Sequence, residues 1–174
     1  RVESGDRGDW FLNVAGFGFD VAVLADTLKW RALNGNAVYI AAALRNLMRY
    51  EGLDLANDRL RPVRHRAMMV VFSNGLNFGG AFRIAPAAVV TDGALDCVEI
   101  GDIRGLARIP LFVRALRGAH LSHDEVRTAR AERFVLHFPA PPQFESDGEL
   151  CQAAEAEVTV RTVPGALRVV AAAP

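Results

Sequence analysis

The sequence predicts a mainly β domain carrying two helices, an antiparallel sandwich or barrel. Three observations point there. Between residues 126 and 172 the runs "VRTARAERFVLHF", "PQFES", "EVTVRTV" and "ALRVVAA" are rich in Val, Phe and Thr and are separated by Pro and Gly. Short runs of that kind at that spacing are what antiparallel strands require. A longer apolar run over 63–73, ending "AMMVVFS", reads as a buried strand. Helical periodicity is confined to two segments.

Taken in order, "WFLNVA" at 10–15 reads as a strand and "GFGF" at 16–19 as a glycine-rich turn. Over 36–51 the apolar residues Val38, Ala41, Ala42, Leu44, Leu47 and Met48 fall near a 3.6-residue period, and Gly52 is a natural stop. The strand over 63–73 ends in an Asn74-Gly75 turn. "FRIAPAAVV" and "ALDCVEIG" are strand candidates around the turn "TDG" at 91–93. "IRGLARIPLFVRALRGAH" at 103–120 is amphipathic and helical in part, with Pro110 starting, kinking or breaking it. More strand than helix is expected.

Composition narrows the class. A chain of 174 residues fits one domain or a small pair, and 51% hydrophobic with 23% charged residues is a globular balance. Formal net charge is zero, so no field draws nucleic acid to the surface. Cys97 and Cys151 lack the partners of a zinc site and read as buried, reduced thiols, with nothing to argue for a place outside the cytosol. No apolar run approaches the ~18 residues of a membrane span. The opening "RVESGDRGDW" has neither Met nor an apolar leader and reads as a fragment or a processed chain. Only Lys29 of the 20 basic residues is lysine, a bias suggesting a GC-rich bacterium.

Four motifs carry candidate chemistry. "GFGFD" at 16–20 fails the dinucleotide fingerprint because Val21 stands where a third glycine is needed, and it reads as a turn. "NGLNFGG" at 74–80 is a turn or bulge, or a close approach to a ligand. "TDGALD" at 91–96 is an Asx turn or one carboxylate of a hard-cation site. "FESDGEL" at 144–150 is either a tight Asp-Gly turn or a pair of acids, Asp147 and Glu149, sharing a face if the segment stays extended. His65, His120, His123 and His137 show no ligand spacing.

The order of these blocks is more telling than any one of them. "FLNVAGFGFD", "NAVYIAAALRNL", "VVFSNGLNFGGAFRIAPAAVVTDGALDCVEI", "FESDGEL" and "VPGALRVV" together resemble the C-terminal domain of the diacylglycerol kinase catalytic family, the soluble bacterial lipid kinases related to sphingosine kinases. The resemblance runs from about Phe11 to Val170 and departs at Ala81, where the family carries a third glycine. It implies a two-layer, mostly antiparallel β-sandwich with one or two helices, a single domain over 1–174. The family's nucleotide-binding half, with its Gly-Gly-Asp-Gly-Thr signature, has no counterpart in these residues.

The resemblance also implies roles. Asp147 and Glu149 would supply the catalytic base, either of them taking the proton. Asp92, with the carbonyls of Val89 and Ala94, would hold a structural Mg²⁺. ATP would be bound mainly by the other half, leaving the isolated chain inactive, and a diacylglycerol-like lipid would be the acceptor. Glu145 lies outside the motif, and its loss is expected to be mild. Peripheral contact with the inner face of a membrane and a homodimer are compatible with this reading. The competing readings are a domain like that of NAD kinase, or a non-catalytic binding or dimerising module.

Overall fold

The computed structural model describes residues 1–29, 45–78 and 82–168. Eleven strands dominate these residues: β1 (Val2–Ser4), β2 (Arg7–Asp9), β3 (Val14–Gly18), β4 (Leu53–Asn57), β5 (Arg61–Ser73), β6 (Leu95–Gly101), β7 (Val126–Ala131), β8 (Arg133–His137), β9 (Gln143–Ser146), β10 (Glu149–Gln152) and β11 (Glu157–Arg161). Helix α1 (Phe19–Lys29) follows β3, and helix α2 (Arg108–Leu116) lies between β6 and β7.

All strand pairs among these residues are antiparallel. The order is β10-β9-β3-β5-β4-β8-β11-β1-β2, with β6 on the free edge of β5 and β7 beyond it. The long strand β5 organises the sheet. Its first half pairs with β4 and its second half with β3 along one edge, while β6 takes the other. Side chains alternate along a strand. Val70 and Phe72 therefore enter an inner core with Phe17, Phe134 and Phe144, whereas Met69 and Val71 face an outer core with Val23, Ile100 and Leu111. The sheet curls around the inner core to form the predicted β-sandwich, and α1 and α2 cover the outer one. Burial of β5 on both faces explains why its sequence shows an unbroken apolar run.

Several sequence expectations shift. The strand expected at 10–15 begins at Val14, and "GFGF" is not a loop turn but the end of β3 and the start of α1. Alanine or anything larger at Gly18 is excluded twice over, because φ is +117° and a Cβ would lie 2.6 Å from the Met68 carbonyl oxygen. "FRIAPAAVV" is not a strand. Phe82 makes one isolated bridge to Phe78, and Pro86 interrupts the chain beyond it, while Ile84, Ala85 and Ala88 still bury their side chains in the outer core. Residues 166–168 are irregular, and the rest of the "ALRVVAA" candidate lies outside the described residues. So does most of the 36–51 helix, of which 45–49 are helical. Pro110 starts α2 rather than breaking it, since proline's missing N–H is harmless in the first turn.

Arg108, at the head of α2, is fully buried. It donates to the carbonyls of Ile103 at 2.6 Å, Asn46 at 3.2 Å, and Leu47 and Tyr50 at 2.7 Å each. Its guanidinium also lies 5.9 Å from the Phe19 ring centre and 5.8 Å from that of Tyr50. One side chain thus ties α2 to the last turn of the 45–49 segment. Arg108→Leu leaves those carbonyls without their donor, and unfolding in denaturant should show a loss of about 3 kcal/mol. Arg108→Lys should recover little of it, because an ammonium cannot reproduce the planar fork.

Candidate active site

"FESDGEL" folds as a β-hairpin. Glu149 pairs with Ser146 and Leu150 with Glu145, leaving Asp147-Gly148 as a two-residue turn with φ of 47° and 91°. Positive φ at both positions is the type I′ geometry that Asp-Gly favours. The segment is therefore not extended through 145–149. Glu145 and Glu149 fall on opposite faces of the hairpin.

The Asp147 carboxylate is a clamp on the segment before β3. It accepts the backbone N–H of Leu12 at 2.6 Å, of Asn13 at 3.1 Å and of Val14 at 2.8 Å. In return the Asp147 N–H donates to the Val14 carbonyl at 3.0 Å. The Ser146 hydroxyl holds the Trp10 carbonyl, and the Asn74 amide holds that of Leu12. Glu149 is exposed at the start of β10.

Two acids absent from the expected set lie behind this clamp. Glu145 in β9 and Asp20 in the first turn of α1 are buried, at 5% and 7% exposure. Their carboxylates converge over Gly16 of β3. A Cβ at Gly16 would lie 3.4 Å from Glu145 Oε2 and would overlap Asp20 Oδ2. Glycine is what opens this space. Glu145 Oε1 accepts the Gly148 N–H at 2.6 Å, but among the described residues its Oε2 is without a partner, as are both oxygens of Asp20.

Burial pushes Asp20 up to about 7, against a smaller downward pull from the neighbouring backbone amides of Val21 and Asp20. Burial first, and then the charge of Asp20, push Glu145 up to about 8. Both groups bind protons more tightly folded than unfolded. Their contribution is thus fully present below the ordinary carboxylate range near about 4, falls between there and the folded values of about 7 and 8, and is gone above them. Each can cost up to about 1.4 kcal/mol per pH unit across that window. The melting temperature should fall from pH 5.5 to 8.5, and Asp20→Asn should flatten the decline; a flat wild-type curve would contradict the assignment.

Asp20 stands at the junction of two cavities. One, of about 340 Å³, is lined by apolar groups from α1, α2 and β5 together with Phe78 and Phe82, and among the described residues Asp20 is the one charged group in its wall. The other, of about 410 Å³, carries more polar groups, Asn13, Asp20, Glu145 and Asp147, in a wall that also includes Val14, Leu24 and Phe78. Phe78 and Asp20 belong to both. A long apolar group could thus occupy the first space while placing a polar end at Asp20, facing the second.

Asp92 lines neither cavity. Asp92 Oδ1 accepts the Ala94 N–H at 2.9 Å, its Oδ2 pairs with Arg130, and the Val89 carbonyl accepts the Asp92 N–H at 3.3 Å. Arg130 supplies the positive charge beside this carboxylate. Among the described residues no group of three or more His, Cys, Asp or Glu is placed to hold a metal ion. Cys97 is buried and Cys151 half-buried, both free thiols.

Residues 13–171 match the YegS C-terminal NAD kinase beta sandwich-like domain, and the chain belongs to that family. Its relatives are lipid kinases by name. It is 31% identical over 162 residues to the diacylglycerol kinase of Mycobacterium tuberculosis, across 92% of this chain and 52% of that protein. Over 163 residues it is 27% identical to "Probable lipid kinase YegS" of Salmonella arizonae, across 91% and 52%. A diacylglycerol kinase structure from Bacillus anthracis superposes with a TM-score of 0.54 at 18% identity, covering 95% of this chain and 56% of that one. At that identity the likeness speaks for the fold. The chain spans about half the length of the curated relatives it matches.

Proposed function

We propose that this chain is the lipid-accepting half of an ATP-dependent lipid kinase, which transfers the γ-phosphoryl group to the hydroxyl of a diacylglycerol-like lipid. The observation that supports it best is Asp20, a buried carboxylate with both oxygens unpartnered among the described residues, set in the wall of an otherwise apolar cavity. Such a group is costly to bury alone and points to a missing donor. A lipid whose chain fills the cavity would bring a hydroxyl to that oxygen.

In this reading ATP, with Mg²⁺, is a substrate held by the other half of the protein and supplies the phosphoryl group. Asp20 accepts the hydroxyl hydrogen bond and takes the proton as the oxygen attacks the γ-phosphorus and the bond to ADP breaks, leaving ADP with the other half. An acid poised near 7 suits that exchange. Glu145 shares and tunes the proton. Asp147 holds residues 12–14, and with them part of the second cavity's wall, in place. Glu149, on the exposed side of the hairpin, is left to meet the nucleotide-bearing half. Catalysis of phosphoryl transfer is mostly positioning and charge neutralisation, so the 174-residue chain alone should lack kinase activity.

The test is the identity of the acceptor. Given γ-labelled ATP and either dispersed diacylglycerol or NAD, the intact protein carrying this chain should place label in the organic phase. Label on NAD would favour the NAD kinase-like reading, and label on neither would favour a binding module.

A further inference from the structure

We infer that the outer face of α2 is a docking surface for an anionic lipid bilayer, through which the acceptor lipid enters the cavity; this rests on the lipid kinase reading above. Helical positions recur every 3.6 residues, which sets Ile109, Val113 and Leu116 on one stripe. They are 43%, 49% and 45% exposed, and Leu106 in the preceding turn is 66% exposed. Four large apolar side chains facing water contrast with α1, which buries Phe19, Val21 and Val23. Leu111 and Ala115, on the opposite side of α2, are buried, Leu111 in the outer core.

The same stripe is one wall of the apolar cavity. Ile109, Val113 and Leu116 line it, so the exposed surface and the cavity interior are continuous. Basic residues border the stripe. Arg114 and Arg117 are exposed beside it, and Arg83 joins them by donating its backbone N–H to the Ala115 carbonyl at 3.0 Å. None of these three takes part in an ion pair among the described residues, whereas Arg104, at the head of the helix, is paired with Asp102. A chain of zero net charge has thus gathered free positive charge around this exposed apolar stripe.

An amphipathic helix with an apolar stripe and an arginine border lies in the plane of a bilayer interface, its apolar face among the acyl chains and its cations at anionic headgroups. A buried protein interface would instead call for acids on the partner, and a second copy of this face would bring arginines against arginines. Docked in this way, α2 opens the cavity toward the acyl chains. A lipid could slide in tail first and stop with its hydroxyl at Asp20.

The experiment is co-sedimentation of the intact protein with vesicles of phosphatidylcholine, or of equal parts phosphatidylcholine and phosphatidylglycerol. The wild type should bind the anionic vesicles, weakly at high salt, and should bind neutral ones far less. The double variant Arg114→Glu, Arg117→Glu should lose about tenfold or more in partitioning, and Leu106→Ser several-fold. None of these residues lines the cavity, so phosphorylation of a dispersed short-chain diacylglycerol should be unchanged in all of them. Equal binding to both vesicle types, no binding, or wild-type binding by the double variant would overturn the docking surface. A concentration-dependent dimer broken by Leu106→Ser, with no vesicle binding, would assign the stripe to a second copy instead. Loss of activity on dispersed lipid by the wild type, with vesicle binding intact, would overturn the kinase reading and leave the surface standing.

Discussion

Asp20→Asn in the intact protein should lower turnover of lipid by about 10²–10⁴-fold, the usual cost of losing general-base catalysis, while raising stability above pH 8. The two effects have one cause. Asp20 is buried without a partner among the described residues, and burial has pushed it up to about 7. Ionising it at high pH therefore works against the fold, and the amide removes that penalty. A residue kept at such a cost is typical of functional sites. Glu145→Gln should be milder in turnover and should shift the pH optimum, because Glu145 acts on the proton through Asp20. If Asp20→Asn lowers stability and turnover together at every pH, Asp20 is a structural residue and the assignment fails.

The second large effect concerns Asp147. Asp147→Ala removes the acceptor for three backbone N–H groups, those of Leu12, Asn13 and Val14. These bonds lie near the surface, where water replaces part of what is lost, so a destabilisation of about 2 kcal/mol is expected rather than the full sum. Turnover should fall at least tenfold, because Asn13 and Val14 form part of the wall of the second cavity. Asp147→Asn should behave similarly, since its amide turns a donor toward N–H groups. The melting temperature separates anchor from base. A variant that keeps its melting temperature and loses turnover would make Asp147 a chemical participant, as the family resemblance implies; a parallel loss of both supports the clamp.

Much of the fold was legible in the sequence, for a physical reason. Strands β5 to β9 and β11 carry β-branched and aromatic runs bounded by turn residues, and the local signal agrees with the final structure. The strands overlooked, β1, β2, β4 and β10, are short, and β1 and β4 are held by pairing partners far along the chain. Helix α1 was missed because two glycines just before it read as a loop. They belong to a strand in which Gly16 makes room for two carboxylates and Gly18 for the backbone of β5.

The site was legible in part. The Asp-Gly turn was visible, and so was the family to which "FESDGEL" pointed. Asp20 was not, because it sits between Phe19 and Val21 with nothing to mark it as more than a helix-start acid. Glu145 was set aside because it lies outside the motif; it sits on the face of β9 opposite that of Phe144, which packs in the inner core. In the structure α1 covers that second face as well. A sequence window cannot show that a distant helix buries the polar side of a strand.

A crystal structure of the intact protein with a non-reactive diacylglycerol analogue would test the central claim most directly. The account predicts an acyl chain between α1 and α2, and the acceptor hydroxyl within about 2.5–3.0 Å of an Asp20 oxygen. A hydroxyl bound beside Glu149, with the apolar cavity holding no part of the lipid, would contradict it.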